Sequence, residues 1–231
     1  SRRCFPISPQ MERPNGPNQY GNVTSANSAS PYRDGLFGTE FERSVFISEP
    51  VHNLVHREVL EPDGVTFTSR RAKGEEKAEF LASTDNWFRP TMTKTGPDGA
   101  LYVADMYRLV IEHPQWIPAT MQSRVNLREG ADRGRIWRIF PKGSKLRKTP
   151  ILETKSTKEL VSLLDSPNGW QRDTVHRLLL DRKDKSASIE LRKLVQTAKS
   201  PKVRLQALCI LEGLNGLDGK VLKQALADSH P

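Results

Sequence analysis

Glu49 and His52 stand three residues apart in Glu-Pro-Val-His-Asn, a spacing at which a carboxylate can orient an imidazole acting as a general base. Downstream, Asp85-Asn-Trp-Phe-Arg-Pro90 and Asp105-Met-Tyr-Arg108 add two acids, two cations and three aromatic rings, and Glu112-His113 follows closely. Arg89 precedes a proline, which biases it to extended geometry and aims its guanidinium off the strand toward an anionic cofactor or substrate. Asp105 and Asp98 carry the hard oxygens that calcium takes together with backbone carbonyls. Trp87 and Trp116 offer flat faces for a cofactor or a sugar. Each group has a second reading that the sequence leaves open. His52 can cap a turn, Arg89 can pair with Asp85 or Asp105, the aspartates can close local turns, and the tryptophans can pack between elements.

The elements that must position these groups come in three zones. Residues 1–42 are rich in Pro, Asn, Ser and Gly and read as a long surface or active-site loop. Residues 43–141 carry short β-forming runs between turn signals, such as Gly96-Pro-Asp-Gly99 ahead of Ala100-Leu-Tyr-Val-Ala-Asp105. Ser44-Val-Phe-Ile-Ser-Glu49 resembles that last run, and Leu54–Gly64 parallels Gly134–Gly143, an internal period of about fifty residues. Four strands per such period predict a β-propeller fragment of about two late blades over residues 1–145, with the rest of the ring upstream. In that geometry the loops after Glu49, before Pro90 and after Asp105 share one rim. It gathers the candidate catalytic pair His52 and Glu49, the candidate cofactor-binding residues Arg89, Arg108, Trp87 and Tyr107, and the candidate metal ligand Asp105. Asn53, Asp85, Asn86, Glu112 and His113 complete the rim.

Residues 146–154 read as a basic linker, and from 155 to 231 the apolar spacing turns helical. Ser166-Pro167 and Ser200-Pro201 look like paired helix starts, Arg172 and Arg204 fall at like positions, and the period is near thirty-four residues, which predicts an incomplete HEAT-like solenoid. Cys209 sits in an apolar helical pattern and reads as a small core residue, and His56, His176 and His230 read as structural. The chain itself reads as an internal fragment, since its last residues look like the entry to another helix.

The formal charge of +9 invites a nucleic-acid role, but acids are interleaved throughout. The one basic run, Lys142-Gly-Ser-Lys-Leu-Arg-Lys148, lacks aromatics for base stacking, so no nucleic-acid partner is expected. Two cysteines without CxxC or CxxCH spacing exclude a zinc ribbon or a covalently attached haem within these residues, and no apolar run is long enough for a transmembrane segment.

Glu49-Pro-Val-His-Asn-Leu-Val-His-Arg-Glu58, Asp85-Asn-Trp-Phe-Arg-Pro90 and Gly96 through Pro114 together resemble the planctomycete-type membrane-bound dehydrogenases. In that family a propeller related to quinoprotein glucose and sorbosone dehydrogenases precedes HEAT repeats and a c-type cytochrome domain. The resemblance implies a periplasmic or secreted enzyme that oxidises a sugar or alcohol with pyrroloquinoline quinone (PQQ), with calcium as a further ligand. Electrons would pass to haem c in a domain outside this chain, with a cytochrome or protein partner docking on the repeats. It also implies a histidine base, the role His52 matches by type, and arginines holding the quinone carboxylates, the role Arg89 matches. From a different class, a non-catalytic glycan- or protein-binding scaffold is the alternative, and carbohydrate hydrolysis or lysis by acidic pairs is a third.

Overall fold

The computed structural model describes residues 3–11 and 20–230 and divides into two compact units, Ser1–Leu146 and Arg147–Pro231. In the first unit the strands are β1 (Asn27–Pro31), β2 (Ser44–Glu49), β3 (Leu54–Asp63), β4 (Thr66–Arg71), β5 (Leu81–Ala82), β6 (Pro90–Thr95), β7 (Leu101–Asp105) and β8 (Arg135–Ile139). They form two open antiparallel sheets. One runs β1-β2-β3-β4 with β5 paired to the start of β3, and the other runs β6-β7-β8.

This architecture corrects the expectation of a propeller. Neither sheet is a four-stranded blade and no ring is shown among the described residues; the fold is mixed, with five- and three-stranded sheets and six helices. The likeness of Ser44–Glu49 to Ala100–Asp105 has a simpler cause. β2 and β7 are each flanked by a strand on both sides, Ser44 opposite Val59 and Leu101 opposite Ile139, so each alternates in burial and ends on a buried acid. Between β7 and β8, where a blade would need regularly spaced strands, the chain instead forms a 3-10 turn at Pro114–Trp116 and the short helix α1 (Ala119–Gln122).

The two sheets share one core. Phe46 and Val55 from the first meet Leu101 and Val103 from the second, with Tyr32, Phe37 and Phe88 filling between them. Full burial of such side chains contributes roughly 1.5–3 kcal/mol each. Tyr32 and Phe37 come from the segment expected to be a surface loop. That segment also supplies β1, where Ser28 takes a left-handed φ of +50° and tethers Thr93 of β6 through its hydroxyl, 3.1 Å from the Thr93 N–H. The Tyr32 hydroxyl donates to the Gly99 carbonyl at 2.7 Å. Gly99, at φ +93°, has no room for a Cβ, which would lie 2.9 Å from Asp34 Oδ1.

The second unit holds α2 (Thr157–Ser162), α3 (Gly169–Arg182), α4 (Ala187–Thr197), α5 (Pro201–Gly213) and α6 (Gly219–Leu226) around a single aliphatic core that includes Leu160, Leu164, Leu179, Leu191 and Leu211. A stacked HEAT solenoid is not shown. Apolar spacing and caps locate single helices, whereas a superhelix is a property of many stacked repeats that five helices around one core do not display. Asn168, not Ser166, caps α3, its Oδ1 accepting from Gln171 N at 2.8 Å, and Ser166 instead bonds the Gln171 side chain. Arg172 and Arg204 do share a role. Arg172 donates to the Ser166 carbonyl and Arg204 to the Ala198 carbonyl, each anchoring the turn before its helix. Cys209 is exposed on α5, contrary to its expected place in the core. No helix among the described residues is long and apolar enough to cross a membrane.

Candidate functional site

The turn after β2 buries Glu49 and His52 almost completely, at 0% and 1% exposure. His52 Nδ1 lies 3.4 Å from Glu49 Oε1, and Nε2 accepts the Gly21 N–H at 3.2 Å. An imidazole that accepts at Nε2 carries its hydrogen on Nδ1, so the pair has the tautomer a carboxylate-oriented base requires. Its basic lone pair, however, is covered by Gly21. Glu49 is held as tightly, accepting from Thr24 N at 3.1 Å and Ser25 N at 2.9 Å.

Arg89, 7% exposed, reaches into the gap between two loops. Its Nε donates to the Arg108 carbonyl at 2.9 Å, Nη1 to Pro50 at 2.9 Å and Val51 at 3.4 Å, and Nη2 to Leu109 at 2.9 Å. The rigid guanidinium fork thus ties the loop after β2 to the loop after β7. Asn53, at φ +58°, supports the same junction by donating to the Asn86 and Phe88 carbonyls at 3.0 and 2.7 Å.

Asp105 closes β7 as a buried acceptor for three N–H groups. Arg89 N at 2.8 Å and Tyr107 N at 2.9 Å take Oδ1, and Trp137 Nε1 takes Oδ2 at 3.0 Å, with Arg135 Nε 3.8 Å away. Tyr107 is thereby held at φ +48°, a conformation that costs a bulky residue of order 1 kcal/mol and that Gly130 accommodates, since a Cβ there would strike the Tyr107 carbonyl. The Tyr107 hydroxyl donates to Asp85 at 2.9 Å, a bond that, with some burial, raises the phenol above its ordinary range. Trp87 lies with its ring centroid 5.6 Å from that of Tyr107, and Arg135 sits over the Tyr107 ring at 3.7 Å. Arg135 is also 5.7 Å from the Trp137 ring centroid, so Trp87, Tyr107, Arg135 and Trp137 form a continuous ladder at the surface, with Asp85 at its edge.

The expected rim therefore resolves into two places bridged by Arg89: the buried Glu49–His52 pair and the exposed ladder. Arg108 extends outward to the Arg128 carbonyl at 2.9 Å. Glu112 and His113 lie on a separate exposed turn, where His113 Nδ1 accepts from Gln115 N at 3.2 Å. Asn86 contributes its carbonyl to Asn53. Trp116 is exposed on that same separate turn. Asp98 is buried at the β6–β7 turn, where burial is outweighed by the Ala100 N–H, Arg138 and Tyr102, which hold its carboxyl below the usual range. Arg135 and Trp137 are functional candidates that site-by-type reading passes over. The alternation of Arg135-Ile-Trp-Arg138 in β8 puts them on one face, opposite Asp105 and Val103 of β7.

A quinone carrying carboxylates needs cationic heads free to meet it, and calcium needs several unclaimed oxygens. Two of the residues expected in these roles are engaged by the fold: Arg89 donates to four carbonyls and Asp105 accepts from three N–H groups, and among the described residues no group of three or more His, Cys, Asp or Glu could hold a metal ion.

No curated protein and no solved structure matches this chain. A protein family described as a domain of unknown function (DUF7133) matches residues 1–143, the whole of the two-sheet unit apart from its last residues. The Glu49–His52 pair, Arg89 and the Trp87–Tyr107–Arg135–Trp137 ladder thus all lie inside the matched region, and the chain belongs to the DUF7133 family.

Proposed function

We propose that the two-sheet unit is a binding module for polyhydroxylated, carbohydrate-type ligands, held at the ladder of Trp87, Tyr107, Arg135 and Trp137 with Asp85 beside it. The observation that carries this reading is the coexistence there of one exposed indole, Trp137, one half-buried indole, Trp87, a carboxylate and a guanidinium. Aromatic faces cover the apolar C–H faces of a sugar ring, while Asp85 accepts from hydroxyls and Arg135 donates to them. Trp, Tyr and Arg are also the side chains that dominate binding energy at recognition surfaces. Affinity electrophoresis and calorimetry with a panel of soluble polysaccharides test it. Binding by the intact chain that falls at least tenfold in Trp87→Ala and Trp137→Ala, and persists in His52→Ala, supports the reading. Polysaccharide binding unchanged by both tryptophan substitutions would sink it.

A second reading is favoured by one specific feature, the Glu49-oriented imidazole with its hydrogen on Nδ1. It is the reading implied by the resemblance to planctomycete-type dehydrogenases, an extracytoplasmic oxidation of sugar or alcohol hydroxyls. In it His52 Nε2 would accept a hydroxyl proton once Gly21 no longer covers it, and Glu49 would steady the imidazolium. Quinone-dependent dye reduction on sugars and alcohols that disappears in His52→Ala would support this reading over the first. Its absence across the panel in the full-length protein would leave binding alone.

A further inference from the structure

We propose that His56, Glu58, Glu79 and Arg71 form a pH-sensitive latch that fastens the strap of residues 3–5 and 21–25 over the Glu49–His52 pair. Glu79 Oε1 accepts the Phe5 N–H at 2.9 Å, and Arg71 Nη2 donates to the Arg3 carbonyl at 2.6 Å while its guanidinium covers the Phe5 ring at 4.7 Å. The fastened residues then pair with the next layer. Cys4 N donates to the Gly21 carbonyl at 2.9 Å, and Arg3 bridges Asn22 in antiparallel register. That second layer is what closes the pair below, through Gly21 N on His52 and the Thr24 and Ser25 N–H groups on Glu49.

The latch depends on one proton. His56 Nδ1 lies 2.7 Å from Glu79 Oε2 and Nε2 lies 2.8 Å from Glu58 Oε1. A neutral imidazole can donate from only one nitrogen, so carboxylates at both require the doubly protonated ring. His56 is 6% exposed, the Glu79 side chain 0%, and the buried Glu58 Oε2 has no hydrogen-bond partner among the described residues. The charged groups facing His56 are Glu58 of β3, Arg71 of β4, and Glu75 and Glu79 of the loop before β5; Glu75 is matched by Arg57 at 3.2 Å, and β2 presents only Ile47 opposite. With the ring protonated, His56 and Arg71 balance Glu58 and Glu79. Loss of the proton leaves a net negative, buried cluster in which one ring lone pair faces a carboxylate oxygen.

The direction follows from the ring's own titration. Burial pulls the imidazole down, but the hydrogen bonds to Glu79 and Glu58 outweigh it and hold it above its ordinary value. A raised value means the latch is fully fastened below the ordinary histidine range, about 6.5, and is lost as pH rises through the higher folded value.

Amide hydrogen exchange on the intact chain between pH 6 and pH 9, with the chemical pH dependence divided out, tests this alongside an NMR titration of the His56 ring. Protection at Cys4, Phe5, Gly21, Thr24 and Ser25 should fall together by about tenfold or more, the value of a lost charged hydrogen bond. Its midpoint should coincide with that of the His56 ring. His56→Gln should abolish the transition, and Glu58→Gln should lower both midpoints in step. Protection that stays flat through the His56 titration, a midpoint displaced from it, or midpoints that separate in Glu58→Gln would overturn the proposal.

Discussion

Replacing Arg89 with methionine separates a structural clamp from a ligand-binding cation. Methionine fills much of the same volume but leaves the Pro50, Arg108 and Leu109 carbonyls, each bonded at 2.9 Å, without their donor, along with the longer bond to Val51. A hydrogen bond to a charged donor is worth about 1.5–3 kcal/mol, and the three strong ones are not independent because one planar group makes them all. Part of the loss is recovered because water can reach the part-buried carbonyls of Arg108 and Leu109. The expected cost is then about 3–5 kcal/mol, since each buried neutral carbonyl left without a donor costs about 1–3 kcal/mol. In a unit of this size that lowers the midpoint of thermal unfolding by roughly 10 °C. Three of the four tryptophans, Trp87, Trp116 and Trp137, lie in the two-sheet unit and report its unfolding by fluorescence in heat or urea. Arg89→Lys should recover little, since a single ammonium cannot span both loops. A methionine variant that melts within two or three degrees of the parent (about 1 kcal/mol) would refute the clamp and return Arg89 to the anion-binding role.

Three further substitutions probe other parts of the molecule. Gly99→Ala puts a Cβ on a φ of +93° and within 2.9 Å of Asp34 Oδ1, so a loss of about 1–2 kcal/mol is expected in urea unfolding of the two-sheet unit. Leu191→Ala, at a fully buried position in the helical unit, should cost about 2–5 kcal/mol in a transition followed by Trp170 fluorescence in a variant whose other three tryptophans are phenylalanine. At the start of α2, Lys155 and the Ser156 N–H and hydroxyl hold the Glu159 carboxyl down to about 2. A depressed carboxyl stabilises above its unfolded value near 4.3 and loses that contribution as pH falls toward 2. Amide protection in α2 should therefore decline over that acid window in the parent and stay level in Glu159→Gln.

Much of the candidate site is legible as residue type and spacing, and little of it as occupancy. The three-residue interval brings Glu49 and His52 together, and turn residues at Gly96–Gly99 place β6 beside β7. What the spacing cannot carry is the identity of backbone partners. Gly21, Thr24 and Ser25 meet Glu49 and His52 from more than twenty residues away through main-chain N–H groups that any residue but proline possesses. Arg89 likewise donates to four backbone carbonyls. The repeat failed for a related reason: two strands flanked on both sides alternate alike, and an acid at the end of each records local capping rather than membership of a ring. The Pro- and Ser-rich start hid a strand because β1 is an edge with a bulge at Ser28, where weak β-formers are tolerated.

Burial then divides the candidates by what they can still do. A polar group whose every lone pair or N–H is taken by the fold meets a ligand only if the fold yields, whereas a half-exposed group meets one at no such cost. Arg89 and Asp105 are on the first side, since losing either would release both loops as well as any ligand. Glu49 and His52 share that side, but their partners belong to a strap held down by one ionisable cluster, so a single proton separates their covered and uncovered states. Trp87, Arg135 and Trp137 are on the second side, and Asp105 positions two of them through Trp137 Nε1 and the nearby Arg135 guanidinium. A buried carboxylate thereby fixes the exposed end of the ladder, and on the proposed binding reading Asp105→Asn should weaken polysaccharide binding in calorimetry while Asp85→Asn, at the rim, should alter which hydroxyl patterns are accepted.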